Sequence, residues 1–252
     1  MTSPRPGGPL LPCPYRLGDH PPPPPAVDSP PLLLLIDRRA PLAPSLRSSL
    51  ISFLSAAERQ RHAALRQQDD RERYLVGRVA LRDLLGHWLE RPPAAVSIEI
   101  GPHGKPACAG APAFNLSHSG DLILLAFHGG DEVGVDVEQA RPNLDWRPIA
   151  ERVLPPAEVS ALGDLPGAEQ AQAFLQAWCR LEARLKALGV GLAGLEGLRS
   201  GGSGGEDSGP TRIWDVAVPP GHAAAVALAA GGAGLKGPPA ATAGAGRPNP
   251  RR

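Results

Sequence analysis

Apolar runs and alternating patterns along the chain predict several β-strands. LLLLID at 32–37 is predicted as a buried strand, and VSIEI at 96–100 as another. LILLAFHG follows a predicted turn at Ser117–Gly120 and continues as an apolar strand, with VGVDVE at 133–138 predicted as its hairpin partner. Near the end, TRIWDVAVPPGHAAAVALAA predicts two strands around the turn at 219–221.

Apolar residues at helical spacing predict the helices between these strands. SLRSSLISFL at 45–54 has one apolar face, and Ser55 and Glu58 then have the spacing of a capping box that begins a second helix. Two long amphipathic helices are predicted at 69–90 and at 168–189. Helices combined with mostly antiparallel hairpins indicate an α+β fold.

VGVDVE places Gly134, Asp136 and Glu138 on one face of a strand, opposite three valines. Two like charges side by side on one face repel each other unless something positive lies between them. A metal ion, a basic cluster, or simple exposure to water at a strand end would each resolve this. For the dipeptide alone, exposure to water is the favoured interpretation.

The order of elements repeats loosely along the chain. In each half, a long helix with a tryptophan is followed by a strand, a turn with a histidine, and another apolar strand. The histidines are His118 and His222. This repetition predicts two similar lobes, at 32–131 and 132–230.

Composition predicts disorder outside these lobes. Residues 1–31 contain 12 prolines, five of them consecutive, and are predicted to be a disordered leader. The tail at 231–252 is rich in Gly, Pro and Ala and is also predicted to be disordered. SGGSGGEDSGP at 200–210 is predicted to be a flexible loop within the fold.

Charge and cysteine usage exclude several classes of protein. The net charge of +1 gives no indication of a nucleic-acid or membrane partner, and no apolar run is long enough to span a bilayer. The N-terminus lacks the pattern of a signal peptide. The three cysteines are widely spaced, which indicates neither a disulfide framework nor a zinc site and favours the cytoplasm.

Two further groups of polar residues could bind phosphate. Glu182 and Lys186 lie four residues apart on one flank of the helix at 168–189, where an ordinary ion pair worth about 0.3–0.5 kcal/mol is the simpler interpretation. GKP at 104–106 and the turn containing Ser117 and His118 could hold phosphate oxygens, or could bond only to their own backbone. The arginine cluster around 59–73 is either a solvated helix surface or a binding site for another phosphate.

The order of these motifs resembles a known family. GKP, FNLSHSG, VGVDVE and FLQAWCRLEARLKALGVGL follow one another as in the 4'-phosphopantetheinyl transferases of the surfactin-synthetase-activating type. That family shows a GKP turn, an F-N-x-S-H-S stretch, a G-x-D-x-E strand and a W-x-x-K-E-A-x-x-K-x-x-G helix. The resemblance covers about residues 52–230, and its strength lies in the ordered set, since GKP or D-x-E alone would be weak.

The resemblance implies a fold and an activity. It implies two α+β lobes related by a pseudo-twofold axis, each an antiparallel sheet packed with a long helix, with the active site in the cleft between them. It implies transfer of the phosphopantetheine arm of coenzyme A to a serine of an apo acyl or peptidyl carrier protein, with release of 3',5'-ADP. Coenzyme A would be the co-substrate, Mg²⁺ the cofactor, and the protein a monomer.

Roles for individual residues follow from the matched motif positions. Asp136, Glu138 and Glu182 would bind Mg²⁺ together with the coenzyme A pyrophosphate, Glu182 would also act as the base, and Lys186 would assist the leaving phosphate. The coenzyme A contacts implied by the resemblance are Ser117 and His118 at the phosphates, Gly104, Lys105 and Pro106 at the nucleotide, and Arg59, Arg61 and Arg73 near the 3'-phosphate.

One departure from the family pattern leaves an alternative open. Leu181 stands where the family often has a lysine, and Arg180, which could replace that lysine, points about 100° away on the helix. A catalytically weakened relative that binds coenzyme A or a carrier protein is therefore a second hypothesis. An unrelated Mg²⁺-dependent phosphohydrolase is a third, but it does not explain the order of the motifs.

Overall fold

The structure is a computed structural model that describes residues 8–101, 104–191 and 211–230. The predicted loop at 200–210, the predicted tail at 231–252 and residues 1–7 of the predicted leader lie outside the described residues. The α-helices of the described part are α1 (Pro44–Ser49), α2 (Ala56–Ala64), α3 (Gln68–Trp88), α4 (Arg147–Val153), α5 (Pro156–Gly163) and α6 (Gly167–Leu188). The strands are β1 (Cys13–Pro14), β2 (Leu32–Asp37), β3 (Glu99–Ile100), β4 (Pro106–Ala107), β5 (Ala113–Ser119), β6 (Leu122–His128), β7 (Glu132–Gln139), β8 (Thr211–Asp215) and β9 (His222–Ala229).

The strands form two main sheets and one short pair. One sheet has the order β1-β2-β6-β5, the other has the order β7-β9-β8, and β3 pairs with β4. All strand pairs are antiparallel except β1 with β2. The fold is therefore a mixture of α-helices and largely antiparallel sheets, as the sequence predicts.

Helix α2 begins where the sequence predicts. The Ser55 side chain accepts a hydrogen bond from the backbone N–H of Glu58, and the Glu58 carboxylate accepts one from the backbone N–H of Ser55. This reciprocal capping satisfies two backbone donors that the first turn of a helix leaves unpaired. Glu58 also pairs with Arg78 and Arg82 of α3, so the cap fixes α2 to its neighbour.

Each main sheet has a long helix on one face, and the two sheets share a core. Helix α3 covers the first sheet with large side chains such as Leu81 and Leu85, which pack in one cluster with Phe114 and Phe127. Helix α6 covers the second sheet. Between the sheets lies an apolar cluster that includes the three valines of β7 together with alternate residues of β6.

The predicted pairing of VGVDVE with the preceding strand is wrong. Strand β7 pairs with β9 along its whole length, from Glu132 opposite Ala229 to Gln139 opposite His222. Strand β6 has β2 on one edge and β5 on the other, so neither edge is open to β7. The valines of β7 meet β6 through side chains across the shared core instead.

The prediction of a disordered leader does not hold for residues 8–31. Cys13–Pro14 pairs with β2, while Leu10, Tyr15 and Leu17 are buried. The proline run also has partners, because the carbonyl of Pro22 accepts a hydrogen bond from Trp88 Nε1 at 2.8 Å. Proline lacks an N–H donor but keeps its carbonyl acceptor, so a proline-rich segment can still dock on a folded surface.

None of the helices in the described ranges combines the length and the apolar character that crossing a membrane requires.

Candidate active site

Strands β5 and β7 lie side by side in different sheets and are joined by side chains. Asn115 Oδ1 accepts a hydrogen bond from the backbone N–H of Val135 at 3.1 Å. Two residues further along β5, Ser117 Oγ donates to Asp136 Oδ1 at 2.8 Å. Both β5 residues are buried. The period of two along β5 therefore places a row of polar side chains against the acidic strand.

Ser119 extends this row at the end of β5. Its Oγ donates to Glu138 Oε2 at 2.8 Å and accepts from the backbone N–H of Gln139 at 3.0 Å. We call Asn115, Ser117 and Ser119 the polar ladder. The polar ladder connects the two sheets where β5 faces β7, and it holds both acids of VGVDVE.

Gly134 lets α6 approach β7 closely. A Cβ at this position would lie 2.1 Å from the carbonyl oxygen of Ala183 and 2.2 Å from the backbone nitrogen of Ala187. Real side chains do not tolerate such distances, so only glycine fits beneath the helix here. Since Asp136 is two residues further along on the same face, α6 passes directly over the acidic face of the strand.

Lys186 is the cation nearest the acidic face. Its Nζ donates to Asp136 Oδ1 at 2.6 Å, to the carbonyl of Val135 at 3.2 Å and to Ser117 Oγ at 3.3 Å. Asp136 is only 3% exposed, so this contact places a paired charge in a largely buried position. The second oxygen of Asp136, Oδ2, is buried and has no hydrogen-bond partner within the described ranges.

The carboxylates that the sequence analysis singled out influence one another. Burial raises the pKa of Glu138, and the charge of Asp136 raises it further. Burial also raises the pKa of Glu182; Lys186 opposes this rise, whereas Asp136 and Glu138 add to it. The negative charges of Asp136 and Glu138 on the strand therefore act on Glu182 of the later helix. That the three acids share one metal ion stays a prediction.

The paired acids raise the question of a bound divalent cation. In the described part of the chain, no three His, Cys, Asp or Glu side chains are already grouped as a metal site. Two observations nevertheless fit a cation: the unpartnered Asp136 Oδ2, and the raised pKa values of Glu138 and Glu182. Carboxylate oxygens are also the ligands that Mg²⁺ prefers. The chemistry of the residues present therefore fits this cation, although the three acids are not grouped around one point in the described ranges.

His118 and Arg73 lie at the edge of this region. His118 is exposed on β5, yet surrounding protein atoms partly desolvate its ring and lower its pKa, and the charges of Arg73 and Lys186 lower it further. Arg73 donates to the carbonyl of Gly120 at 3.1 Å and pairs with Asp70. The positive charges of Arg73 and Lys186 thus both act on His118.

The structure does not bring Arg59 and Arg61 to the acids by any described contact. Both are exposed on α2. Arg59 Nη1 donates to the carbonyl of Leu54 at 2.6 Å, just before the helix begins. Their predicted role near the 3'-phosphate therefore stays a prediction.

The GKP turn contacts the end of α6. Lys105 Nζ donates to the carbonyl of Ala187 at 2.9 Å and pairs with Glu132 at 2.7 Å. A cation at the C-terminal end of a helix is favourable because the helix dipole is negative there. Gly104 has a φ of +83°, which favours glycine, and Pro106 begins β4. The turn is thus tied to the helix that carries Glu182.

Arg180 is directed away from the acids. Its Nε and Nη2 each donate to Asp215 of β8 at 2.7 Å. Leu181, which stands where the resemblance expects a lysine, is partly buried against the aromatic cluster of Trp146 and Phe174. Arg180 therefore does not supply the positive charge that is missing at position 181.

Models of known protein families match both the N-terminal and the C-terminal part of the chain. The model of the 4'-phosphopantetheinyl transferase superfamily matches residues 132–213, which include β7 and α6. A model described as 4'-phosphopantetheinyl transferase, N-terminal, matches residues 41–129. The 4'-phosphopantetheinyl transferase ffp of Bacillus subtilis is 32% identical over 156 residues, which cover 61% of this chain and 68% of that protein.

The chain belongs to the 4'-phosphopantetheinyl transferase superfamily. The 4'-phosphopantetheinyl transferase HetI of Nostoc is 36% identical over 152 residues, covering 58% of this chain and 64% of HetI. The 4'-phosphopantetheinyl transferase AcpT of Escherichia coli strain K12 is 39% identical over 121 residues, covering 47% of this chain and 58% of AcpT. The matched part of the chain thus spans less than two thirds of both HetI and AcpT.

Sequence reasoning missed several residues that build this superfamily member's site. Gly134 was recognised only as a residue without a side chain, and the roles of Asn115 and Ser119 were not predicted. The period of two in N-x-S-x-S was a usable signal for the polar ladder, since it places all three side chains on one face. No comparable signal marks the close approach of α6 to Gly134, because it depends on a contact between distant parts of the chain.

Proposed function

We propose that this chain transfers the 4'-phosphopantetheine arm of coenzyme A to a serine of an apo acyl or peptidyl carrier protein and releases 3',5'-ADP. One observation carries the proposal. Lys186 of α6 contacts Asp136 of β7 beside the polar ladder, and the charges of Asp136 and Glu138 act on Glu182 of the same helix. Family membership supports it, since relatives of this chain are named as 4'-phosphopantetheinyl transferases.

We propose Asp136, Glu138 and Glu182 as the side chains that would hold Mg²⁺. When bound, the ion would neutralise charge on the coenzyme A pyrophosphate. The three acids fit this role because they are partly or fully buried and mutually repelling, and because one oxygen of Asp136 has no partner in the described ranges.

Glu182 is proposed as the base that takes the proton of the attacking serine. Burial raises the pKa of Glu182 in the metal-free chain, which moves it towards the working pH, where a general base is most effective. The serine oxygen would form a bond to the phosphorus that carries pantetheine, and the bond to the 3',5'-ADP oxygen would break. Lys186, beside Asp136 and Ser117, would stabilise the charge that develops on the leaving phosphate.

The remaining proposed residues bind the rest of coenzyme A. His118 and Ser117 would meet its phosphates, and Arg73 would approach the 3'-phosphate; the exposure of His118 and its two neighbouring cations support this. Gly104, Lys105 and Pro106 would border the nucleotide, and Arg59 and Arg61 would reach the 3'-phosphate region from α2.

Several broader features belong to the same proposal. The lobes would be residues 32–131 and 132–230, related by a pseudo-twofold axis, with coenzyme A in the cleft between them. We further propose the surfactin-synthetase-activating subtype, a monomer and a cytoplasmic location. The cysteines Cys13, Cys108 and Cys179 are free thiols, which suits a reducing compartment.

A second candidate is a catalytically weakened relative that binds coenzyme A or a carrier protein. Two observations favour it: Leu181 packs on an apolar cluster, and Arg180 is bound to Asp215. One phosphate contact would then be absent, which would lower the rate of transfer while leaving binding in place.

The test is a mass measurement on the carrier. The protein is incubated with coenzyme A, Mg²⁺ and either an apo acyl carrier protein or an apo peptidyl carrier domain. Gain of the phosphopantetheine arm supports the proposed transferase. Binding of coenzyme A without a mass gain supports the weakened relative. Release of phosphate without any carrier supports a phosphohydrolase and contradicts both.

Two variants extend this assay. Asp136→Ala should abolish transfer, while Asp164→Ala, which removes an exposed aspartate at the end of α5, should not. Glu182→Gln should retain coenzyme A binding and lose about 10²–10⁴-fold in rate, as expected for removal of a base. Glu169→Gln, on the exposed first turn of the same helix, is its matched control. Full activity in Glu182→Gln would exclude Glu182 as the base.

A further inference from the structure

We propose that Ser119 is a positioning residue that fixes the carboxylate of Glu138 at the boundary between the two sheets. The inference rests on the proposed function, because it concerns one of the proposed metal ligands. Ser119 Oγ donates its hydrogen to Glu138 Oε2 at 2.8 Å and accepts the backbone N–H of Gln139 at 3.0 Å. One hydroxyl thus holds both the side chain of Glu138 and the backbone that follows it.

The hydrogen bond opposes a repulsion within the site. Glu138 shares a strand face with Asp136, whose negative charge favours moving the Glu138 carboxylate outward towards solvent. Strands β5 and β7 belong to different sheets and have no backbone ladder between them in the described ranges. A side-chain donor from β5 is therefore what holds Glu138 beside Asp136.

A residue that orients a metal ligand affects binding without touching the metal. Removing such a partner commonly costs about 10–100-fold in metal affinity or activity. We therefore expect Ser119→Ala to raise the Mg²⁺ concentration for half-maximal transfer by about tenfold or more. Ser119→Thr, which keeps the hydroxyl, should restore most of this loss.

The experiment uses two readouts on the full chain. The first is Mg²⁺ binding by titration calorimetry in the presence of coenzyme A, together with the Mg²⁺ dependence of transfer. The second is hydrogen exchange of the Gln139 amide, which should be faster in Ser119→Ala and normal in Ser119→Thr. The control is Ser52→Ala, because Ser52 is exposed and its hydroxyl bonds only to the carbonyl of Ser49.

The two readouts separate this inference from the proposed function. If the unmodified protein neither binds Mg²⁺ nor modifies a carrier, the proposed function fails, and with it the metal-related part of this inference. If Ser119→Ala leaves the exchange of Gln139 and the Mg²⁺ dependence unchanged, the positioning role is overturned even though the enzyme works.

A different set of contacts supports a second inference. We propose that residues 10–15, the N-terminal strap, lock the two sheets together on the side away from the polar ladder. Leu10 joins the second sheet: its N–H donates to the carbonyl of Asp215, and its carbonyl accepts the N–H of Ala217, each at 2.8 Å. Three residues later, Cys13–Pro14 pairs with β2 of the first sheet.

Side chains of the strap enter both cores. Leu10 is 8% exposed and packs in the cluster between the sheets. Tyr15 is 4% exposed and packs in the cluster beneath α3, and its N–H donates to the carbonyl of Leu35 at 2.9 Å. The adjacent Leu11 is 79% exposed and belongs to neither cluster. The strap is therefore anchored at both ends, once in each sheet.

The strap and the polar ladder connect the two sheets at opposite sides of the boundary between them. The first sheet runs in the order β1-β2-β6-β5, and the second in the order β7-β9-β8. The polar ladder joins β5 to β7, whereas the strap joins the far side of the first sheet to the residues that follow β8. With both connections in place, the sheets cannot separate at either side, and the spacing around Asp136 is fixed.

The test compares two adjacent leucines. In Leu10→Ala, amide exchange should accelerate by about tenfold or more at Ala217, and also at Val135 and Gln139, whose amides bond across the polar ladder. Leu11→Ala should change none of these amides. Acceleration at Ala217 alone, or equal effects of the two variants, would overturn the proposal.

A second measurement needs no variant. In the unmodified protein, the amides of Leu10, Tyr15 and Ala217 should exchange through one shared opening, with the same dependence on denaturant. Different dependences would show that the strap does not act as a unit, and the proposal would then fail even if Leu10→Ala did not fold.

Discussion

The two long helices cover their sheets in different ways. Helix α3 lies on the first sheet through large side chains, including Leu81, Leu84 and Leu85. Helix α6 meets the second sheet through small ones, Cys179, Ala183 and Ala187, which face an alanine-rich β9 and Gly134 of β7. The small side chains bring the backbone of α6 much closer to its sheet than that of α3.

This difference explains where the candidate site lies. Side chains of α6 reach β7 directly, so Lys186 contacts Asp136, and the charges of both acids of the strand raise the pKa of Glu182. Large side chains hold the backbone of α3 farther from its sheet, and this helix contributes mainly apolar side chains to the core. Small residues between a helix and a strand thus let charged side chains of the two elements meet, as those of α6 and β7 do.

The largest expected effect on stability is a loss of volume under α3. Leu84→Ala removes a fully buried side chain and should lower the free energy of unfolding by about 2–5 kcal/mol. Chemical denaturation measures this loss, with the exposed Leu11→Ala as control. A loss below 1 kcal/mol would contradict the view that α3 is held by bulky packing.

A gain of volume under α6 should have a smaller effect on stability and a severe effect on activity. Gly134→Ala places a methyl group against the backbone of α6 and should cost about 1–3 kcal/mol. Displacing Glu182 and Lys186 by even 1 Å should lower transfer by about 10²-fold. Gly167→Ala, on the same helix with open space around it, should leave transfer unchanged. Normal transfer in Gly134→Ala would contradict the claim that the close approach of α6 to β7 positions the residues of the candidate site.

Substitution of Glu182 should have a smaller effect on stability and, unlike the two changes above, should increase it. Its raised pKa means that the folded state binds a proton more tightly than the unfolded state, so stability falls as pH rises from about 4.3 through the folded value. Glu182→Gln removes this loss and should stabilise the Mg²⁺-free protein at pH 7–8 while transfer is lost. The variant should therefore have a higher Tm than the unmodified protein in this pH range. Thermal unfolding across pH tests this, and a lower Tm for the variant at pH 8 would contradict it.

The smallest effect is expected at the outer side of α6. Arg180→Gln breaks a largely exposed ion pair with Asp215 and should cost about 0–1 kcal/mol, with transfer unchanged. Denaturation and the carrier mass assay measure the two quantities. A large drop in transfer would contradict this and show that Arg180 contributes to the transfer reaction.

Local patterns predicted many elements correctly and misplaced others. The strand predicted at 96–100 forms only at Glu99–Ile100, and most of the turn predicted at Ser117–Gly120 belongs to β5, which continues to Ser119. Strand β2 and the Ser55–Glu58 capping box were predicted correctly, and the two long helices were placed within two residues at each end. The period of two in VGVDVE correctly separated its valines, which lie in the core between the sheets, from its acids on the other face. It could not identify β9 as the partner, because alternation specifies which face is buried and not which strand lies alongside.

The leader shows a second limit of sequence reasoning. Its proline content predicted disorder, because composition does not reveal a folded surface that accepts the segment. Trp88 and Gly129 provide that surface: one donates to Pro22, and the other has no Cβ where Pro25 and Ala26 pass. For the candidate site, motif order led to the prediction of the acids and Lys186 as site residues, while the contacts between them could be found only from the fold.

The most direct test of the central claim is a crystal structure with coenzyme A and Mn²⁺, which substitutes for Mg²⁺ and gives an anomalous signal. The account predicts one anomalous peak within bonding distance of the carboxylates of Asp136, Glu138 and Glu182, beside the pyrophosphate. A peak elsewhere, or bound coenzyme A with Glu182 turned away from Asp136 and no peak between them, would contradict it.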